Sequence, residues 1–266
     1  PNATVLAACR LHHPANCRFR LELYASGDGG KHCALRSTLA EGTVGLWEPF
    51  LLLLPDGSLQ AYYASEEGCR PDQVIEMKIS TDGGTTWTPP RTVARKKGSR
   101  DGMPAVVRLR SGELLVVFEA QDLPPYRFVV RGVRSKDNGC TWSTDRELVY
   151  RPRNPVNGPW SAGAPSAVLT KSGRILVSFQ TDEQVGYAAG SRSQDPTNPS
   201  YNYLRNATAA LVASDDEGRT WSQGTPLFDS AGRLALWNAL YTLQADRVLL
   251  LTSQQGRVWC KIGRLE

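Results

Sequence analysis

The chain has 266 residues, of which 41% are hydrophobic and 21% charged, with 24 glycines, 17 prolines and a formal net charge of +5. That length suffices for a sizeable core, and a composition rich in Gly and Pro with aromatics beside turns favours many short strands over helices. The apolar run Phe50–Leu54 stops at Pro55-Asp56-Gly57, and the basic residues are scattered apart from Arg95, Lys96, Lys97 and Arg100; a membrane-spanning helix and a nucleic-acid-binding stripe are both excluded, and a soluble protein is expected.

In chain order, strands are predicted over Thr4–Leu11, Phe19–Ala25 and Ala34–Leu39. A fuller unit follows, with Trp47–Leu54, Leu59–Ala64, Val74–Ile79 and Arg91–Ala94. Its successor repeats it as Met103–Leu109, Leu114–Glu119, Phe128–Val133 and Glu147–Tyr150. In both, 25 residues separate the first turn's glycine from a later aspartate (Gly57 to Asp82, Gly112 to Asp137). In a fourth unit the offset grows to 43 residues (Gly173 to Asp216), because a stretch rich in Gly, Ser, Asn, Pro and Tyr enters at Gln184–Tyr203. The last unit has three strands, Leu236–Leu243, Arg247–Thr252 and Val258–Ile262. Equal offsets mark one supersecondary unit copied along the chain.

The organising motif is Ser-x-Asp-x-Gly-x-Thr-Trp, at Ser80–Trp87, Ser135–Trp142 and Ser214–Trp221, preceded by a degraded copy at Ser26–Cys33. The Asp caps backbone N–H groups of a tight turn and the Gly supplies a positive φ, so the motif is a folding device before it is anything else. Repeated four-stranded meanders point to an all-β β-propeller in a single domain spanning 1–266. Five units, the first without its opening strand, imply either a missing N-terminal blade or a ring that closes as five.

Six cysteines allow up to three disulfides, and none lies in Cys-x-x-Cys spacing, which argues against zinc. With the sequons Asn2-Ala3-Thr4 and Asn206-Ala207-Thr208, the even cysteine count suggests an extracellular, secreted protein. His12, His13 and His32 lie near the N-terminus without metal-ligand spacing, and neither Gly-x-Ser-x-Gly nor a phosphate loop occurs. No metal and no cofactor are expected.

Acidic residues recur near strand ends: Glu48, Glu66, Glu67, Asp101, Glu119, Asp182 and Glu183. Glu119 and Glu183 each follow an apolar second strand, which would set them at corresponding heights beside a central funnel. Paired carboxylates suit glycoside hydrolysis, with retention at a separation of about 5–5.5 Å and inversion at roughly 6.5–9.5 Å.

The repeated turn is the Asp-box of sialidase-like propellers. With it, Gly45–Leu51 (GLWEPFL), Leu59–Tyr63 with Ser65-Glu66, Arg100–Met103 (RDGM), Val117–Glu119 and Val177–Glu183 (VSFQTDE) resemble the exo-arabinanases, the exo-α-1,5-L-arabinofuranobiosidases of glycoside hydrolase family 93. That resemblance implies a secreted, six-bladed, sialidase-type propeller of which this chain covers about five blades. It also implies release of arabinobiose from linear α-1,5-L-arabinan by a retaining two-glutamate mechanism, with an oligosaccharide or polysaccharide as partner and the chain a monomer. Carried over by position, Glu119 would be the acid/base and Glu183 the nucleophile, with Trp47, Glu48, Arg100, Asp101, Asp182 and Trp237 lining the substrate site. Two alternatives stand beside it. An exo-sialidase would need a carboxylate-gripping arginine triad, drawn from Arg100, Arg131, Arg151 and Arg192, and a Tyr nucleophile assisted by a Glu. A non-catalytic carbohydrate- or protein-binding propeller would leave the glutamates apart or locked in Arg pairs.

Overall fold

Runs of β-branched and aromatic residues between Asp-Gly turns become strands in the computed structural model, which describes residues 4–13, 18–153, 160–183, 207–228, 235–244, 247–254 and 256–264. The sequons at Asn2 and Asn206 and the stretch 184–203 lie outside the described residues. β1 (Val5–His13), β2 (Arg18–Ser26) and β3 (Ala34–Gly42) form an antiparallel sheet. β4 (Leu46–Leu53), β5 (Leu59–Ser65), β6 (Val74–Ser80) and β7 (Arg91–Ala94) form the next. β8 (Asp101–Arg108), β9 (Leu114–Ala120), β10 (Val129–Ser135) and β11 (Glu147–Tyr150) make a third. β12 (Ala162–Leu169), β13 (Ile175–Thr181), β14 (Thr208–Ser214) and β15 (Thr225–Pro226) make a fourth, and β16 (Leu236–Thr242), β17 (Arg247–Gln254) and β18 (Arg257–Arg264) a fifth. Every sheet is ordered as the chain runs, the signature of a meander.

The chain divides into two compact units, Pro1–Pro104 and Ala105–Glu266. In the first, Leu21, Leu23, Leu39, Leu46, Leu59, Ala61 and Tyr63 form the core, with Trp87 packed against it. In the second, Phe118, Trp160 and Phe179 are fully buried, and Ala209, Phe228, Ala235 and Leu250 cluster together. The second strands β5 and β13 are buried at every residue, and β9 at every residue but Glu119. Apolar residues dominate them because both faces are covered, and their polar side chains Gln60, Ser178 and Gln180 are buried as well.

Each Asp-box closes locally. Ser80 Oγ donates to Asp82 Oδ1 at 2.8 Å and accepts from the Gly84 N–H, while Thr86 donates to Asp82 through its N–H and its hydroxyl (2.7 Å). The boxes at Asp137 and Asp216 repeat these bonds. The degraded copy keeps the geometry: Ser26 donates to Asp28, the His32 N–H donates to Asp28 Oδ1, and His32 Nδ1 lies 2.6 Å from Asp28 Oδ2, in the place of the missing threonine hydroxyl. The turn is therefore built four times.

The boxes also dock between sheets. A Cβ at Gly84 would meet Leu23 Cδ2 at 2.3 Å, and Trp87 Nε1 donates to Ser37 Oγ of β3 at 3.0 Å. Glu217 accepts from the Ser111 N–H, and Arg134 donates to the Glu217 carbonyl.

First strands share a feature that the sequence reading did not anticipate. Pairing shifts by one residue, two on the first strand facing one on its partner, in β4 (between Trp47 and Phe50), β12 (Gly163 and Ser166) and β16 (Leu236 and Ala239). The unmatched pairs are Glu48-Pro49, Ala164-Pro165 and Trp237-Asn238. Ala164 and Trp237 adopt φ of 48° and 53°, as does Met103, before Pro104 in β8, at 50°. Proline fits because a bulge leaves an N–H with no ladder partner. The five described cysteines, Cys9, Cys33, Cys69, Cys140 and Cys260, are free thiols rather than bridged, and Cys17 lies outside the described residues.

Candidate functional site

In the second unit the bulge of β12 organises a polar network. Ala164 donates its N–H to Glu119 Oε2 at 2.7 Å, and its carbonyl accepts from Asn238 Nδ2 at 3.0 Å. Asn238 Oδ1 in turn accepts from the buried Ser178 hydroxyl, and the Trp237 N–H donates to Gln180 Oε1 at 3.1 Å. Four strands, β9, β12, β13 and β16, thus meet around one strained peptide. A buried polar network of this kind fixes the half-buried Glu119 carboxylate in one orientation.

Register corrects the expected match of the two glutamates. Glu119 is the sixth residue of β9, as Gln180 is of β13 and Ala64 of β5. Glu183 lies two residues beyond β13, so its counterpart after β9 is Asp122. The two carboxylates therefore occupy different topological positions. Glu183 accepts from the Tyr150 hydroxyl through Oε1 and from the Arg153 N–H through Oε2 at 2.5 Å. Asp122 instead braces Arg131 (2.9 Å) and Arg146 (3.0 Å).

Asp182 is buried and accepts from the Ser161 N–H at 2.8 Å. Asp101, in the first unit, is fully buried and accepts from the Ser99 hydroxyl at 2.7 Å. Both carboxylates brace protein donors rather than face solvent. Trp237 is 52% exposed, a ring open to a ligand.

The remaining expected site residues fall in the first unit around Glu66, whose side chain is 4% exposed. Its carboxylate accepts from Arg100 at 2.6 Å, Arg70 Nε at 3.0 Å and Trp47 Nε1 at 3.0 Å. Burial pushes its carboxyl up, but the hydrogen bond and charge of Arg100, followed by Arg70 and Trp47, leave it below the ordinary glutamate range. Arg100 also donates to Gln73 Oε1. Glu48 faces Arg10 at 3.7 Å, and the Arg10 guanidinium lies 4.9 Å from the Trp47 ring centre.

Of the groups expected for a sialidase, two arginines are held in ion pairs and the phenol is not activated. Arg100 is engaged by Glu66 and Arg131 by Asp122, and Arg192 lies outside the described residues. Tyr150 donates to Glu183, yet its ring is buried and stacks on Phe179 at 4.3 Å. Burial first, then the Glu183 carboxylate, push its phenol above the ordinary range. A nucleophilic phenol needs the opposite shift. Among the described residues no three His, Cys, Asp or Glu side chains are grouped to hold a metal.

Tyr150, Gln180 and Asn238 were not anticipated as parts of the site. For the bulge the available signal was the X-Pro that recurs as the third and fourth residues of β4, β8 and β12 (Glu48-Pro49, Met103-Pro104, Ala164-Pro165); for Tyr150 and Asn238 no local signal existed.

Five meander sheets joined by Asp-box turns define an all-β, five-bladed β-propeller of sialidase-like type. The chain belongs to the BNR repeat-like domain family, whose model matches residues 57–252. No curated protein sequence matches it. Similar solved structures include the GH93 α-L-arabinofuranosidase of Fusarium graminearum in complex with arabinobiose, at 21% identity and TM-score 0.72, covering 98% of this chain and 72% of that one. The α-L-arabinanase of Penicillium chrysogenum with arabinobiose follows at 21% identity and TM-score 0.69, covering 98% and 71%. A Hadza microbial sialidase aligns at 18% identity and TM-score 0.63, covering 91% and 52%. At these identities the likeness establishes the fold.

Proposed function

We propose that the protein is a secreted glycoside hydrolase acting on linear α-1,5-L-arabinan, releasing arabinobiose from a chain end with retention of configuration. The observation that carries this reading is Glu119, a half-buried carboxylate oriented by the Ala164 N–H within a network joining four strands. Glu119 serves as acid/base. Glu183, oriented by Tyr150 and Arg153, serves as nucleophile, and Trp237 offers a sugar-stacking surface. Two structurally similar propellers hold arabinobiose, which supports a neutral furanoside substrate.

The chemistry asks each carboxylate for one thing. The nucleophile attacks the anomeric carbon as the acid protonates the departing oxygen, giving a glycosyl-enzyme ester; the acid, now a carboxylate, then takes a proton from the water that hydrolyses the ester. Both glutamates and water suffice, with no external oxidant or co-reactant.

The test is product analysis of linear arabinan incubated with the parent, Glu119→Gln and Glu183→Gln, alongside a sialoside. Arabinobiose from the parent, reduced about 10²–10⁴-fold in both variants and restored by azide in one, supports the reading and assigns the roles. Sialic acid release overturns the substrate class. A folded parent inert on both glycans leaves the binding-propeller reading in its place.

A further inference from the structure

Within the second unit, a cavity of about 570 Å³ opens beside β11, a size in the range of small-molecule sites (~300–1,000 Å³). Its wall includes Arg151, Arg153 and Arg219 together with the aromatic residues Tyr126, Tyr150 and Trp221. Among the described residues lining it there is no carboxylate. Cations are ordinarily balanced or spread apart on a protein surface, so three arginines lining one hollow create a positive potential that an anion would lower.

The two kinds of wall specify the occupant. A guanidinium presents a planar fork that matches a carboxylate in two parallel hydrogen bonds. Aromatic rings add flat apolar area, suited to the C–H face of a sugar ring and of no use to a bare inorganic anion. Trp221 is placed there by the Asp-box, since Thr220 ties the turn to Asp216 and a Cβ at Gly218 would lie only 3.2 Å from the Trp221 ring. The Tyr150 hydroxyl and the Arg153 N–H are turned to Glu183, so the guanidiniums and rings are the groups that remain for a ligand.

We propose that this cavity binds an acidic sugar, a uronate residue whose carboxylate is gripped by Arg151 and Arg219 while its ring lies against Tyr126 and Trp221. Glu119 is not among the described residues lining the cavity, whereas Tyr150 and Arg153 of its wall also hold Glu183; uronate binding there does not require that arabinan be cleaved.

The experiment is calorimetric titration of the full chain with trigalacturonate at low ionic strength, with arabinotriose and inorganic phosphate as parallel ligands. Trigalacturonate is expected to bind, to weaken as salt is raised, and to lose roughly tenfold in affinity in each of Arg151→Ala and Arg219→Ala. Thermal melts of both variants confirm that they remain folded. Glu119→Gln, inactive on arabinan under the reading above, is expected to bind trigalacturonate as the parent does, which separates uronate binding from cleavage. The proposal is overturned if trigalacturonate fails to bind, if both folded variants bind it unchanged, or if phosphate or arabinotriose binds with equal affinity.

Discussion

Ala164 donates its backbone N–H to Glu119 at 2.7 Å from a φ of 48°, so one strained residue orients the principal carboxylate of the site. A β-branched side chain is poorly accommodated at such a φ, with a cost of about 1–3 kcal/mol. Ala164→Val is therefore expected to lower the unfolding free energy, read from urea denaturation, by that amount and to reduce kcat on arabinan. Ala164→Gly, which tolerates the angle, should keep kcat near the parent's value.

Removing the Tyr150 hydroxyl takes one donor from Glu183 in a buried setting. Tyr150→Phe is expected to cost about 1–3 kcal/mol, measured by chemical denaturation, and to lower kcat with little change in KM, because the carboxylate is misoriented rather than the sugar released. An unchanged kcat would show that the phenol serves packing alone.

Glu66 brings Arg70, Arg100 and Trp47 to one carboxylate. Glu66→Ala strands those donors, at a cost of about 2–4 kcal/mol given the partly exposed arginines. Arg70→Ala, two-thirds exposed, should cost far less, about 0–1 kcal/mol. Parallel thermal melts compare them.

The Asp-box carboxylates link stability to acid. Hydrogen bonds from the Thr141 hydroxyl and N–H, then from Ser135, hold Asp137 at about 2, below its ordinary 3.8. Asp28 is held at about 2 chiefly by the His32 N–H. A depressed carboxyl contributes stability that is complete above its unfolded value and is lost as pH falls through the folded one. Stability should thus decline between about pH 4 and about pH 2. Denaturation midpoints across that range should fall less steeply in Asp137→Asn than in the parent.

Much of the architecture could be read from the sequence, because its signals are local. The strands before and after each Asp-box, the equal Gly57–Asp82 and Gly112–Asp137 offsets and the five-unit count all follow from turn chemistry and apolar runs. The first-strand bulges were hidden, since a left-handed Ala164 or Trp237 is set by the neighbouring sheets and not by its own propensity. Glu119 and Glu183 looked equivalent because both follow an apolar run; register separates them, and register depends on pairing partners distant in sequence. In the degraded box, His32 was read as a loss of the motif, although an imidazole nitrogen reaches the same carboxylate as a threonine hydroxyl.

Every hydrogen bond inside an Asp-box joins residues no more than four positions apart. Closing so short a loop loses little chain entropy, so these turns can form before any sheet exists to receive them. The chain carries four such self-sufficient turns, each placing two strands antiparallel and side by side. Folding can then begin at any of several sites along the polypeptide, and damage to one turn leaves others able to start the process.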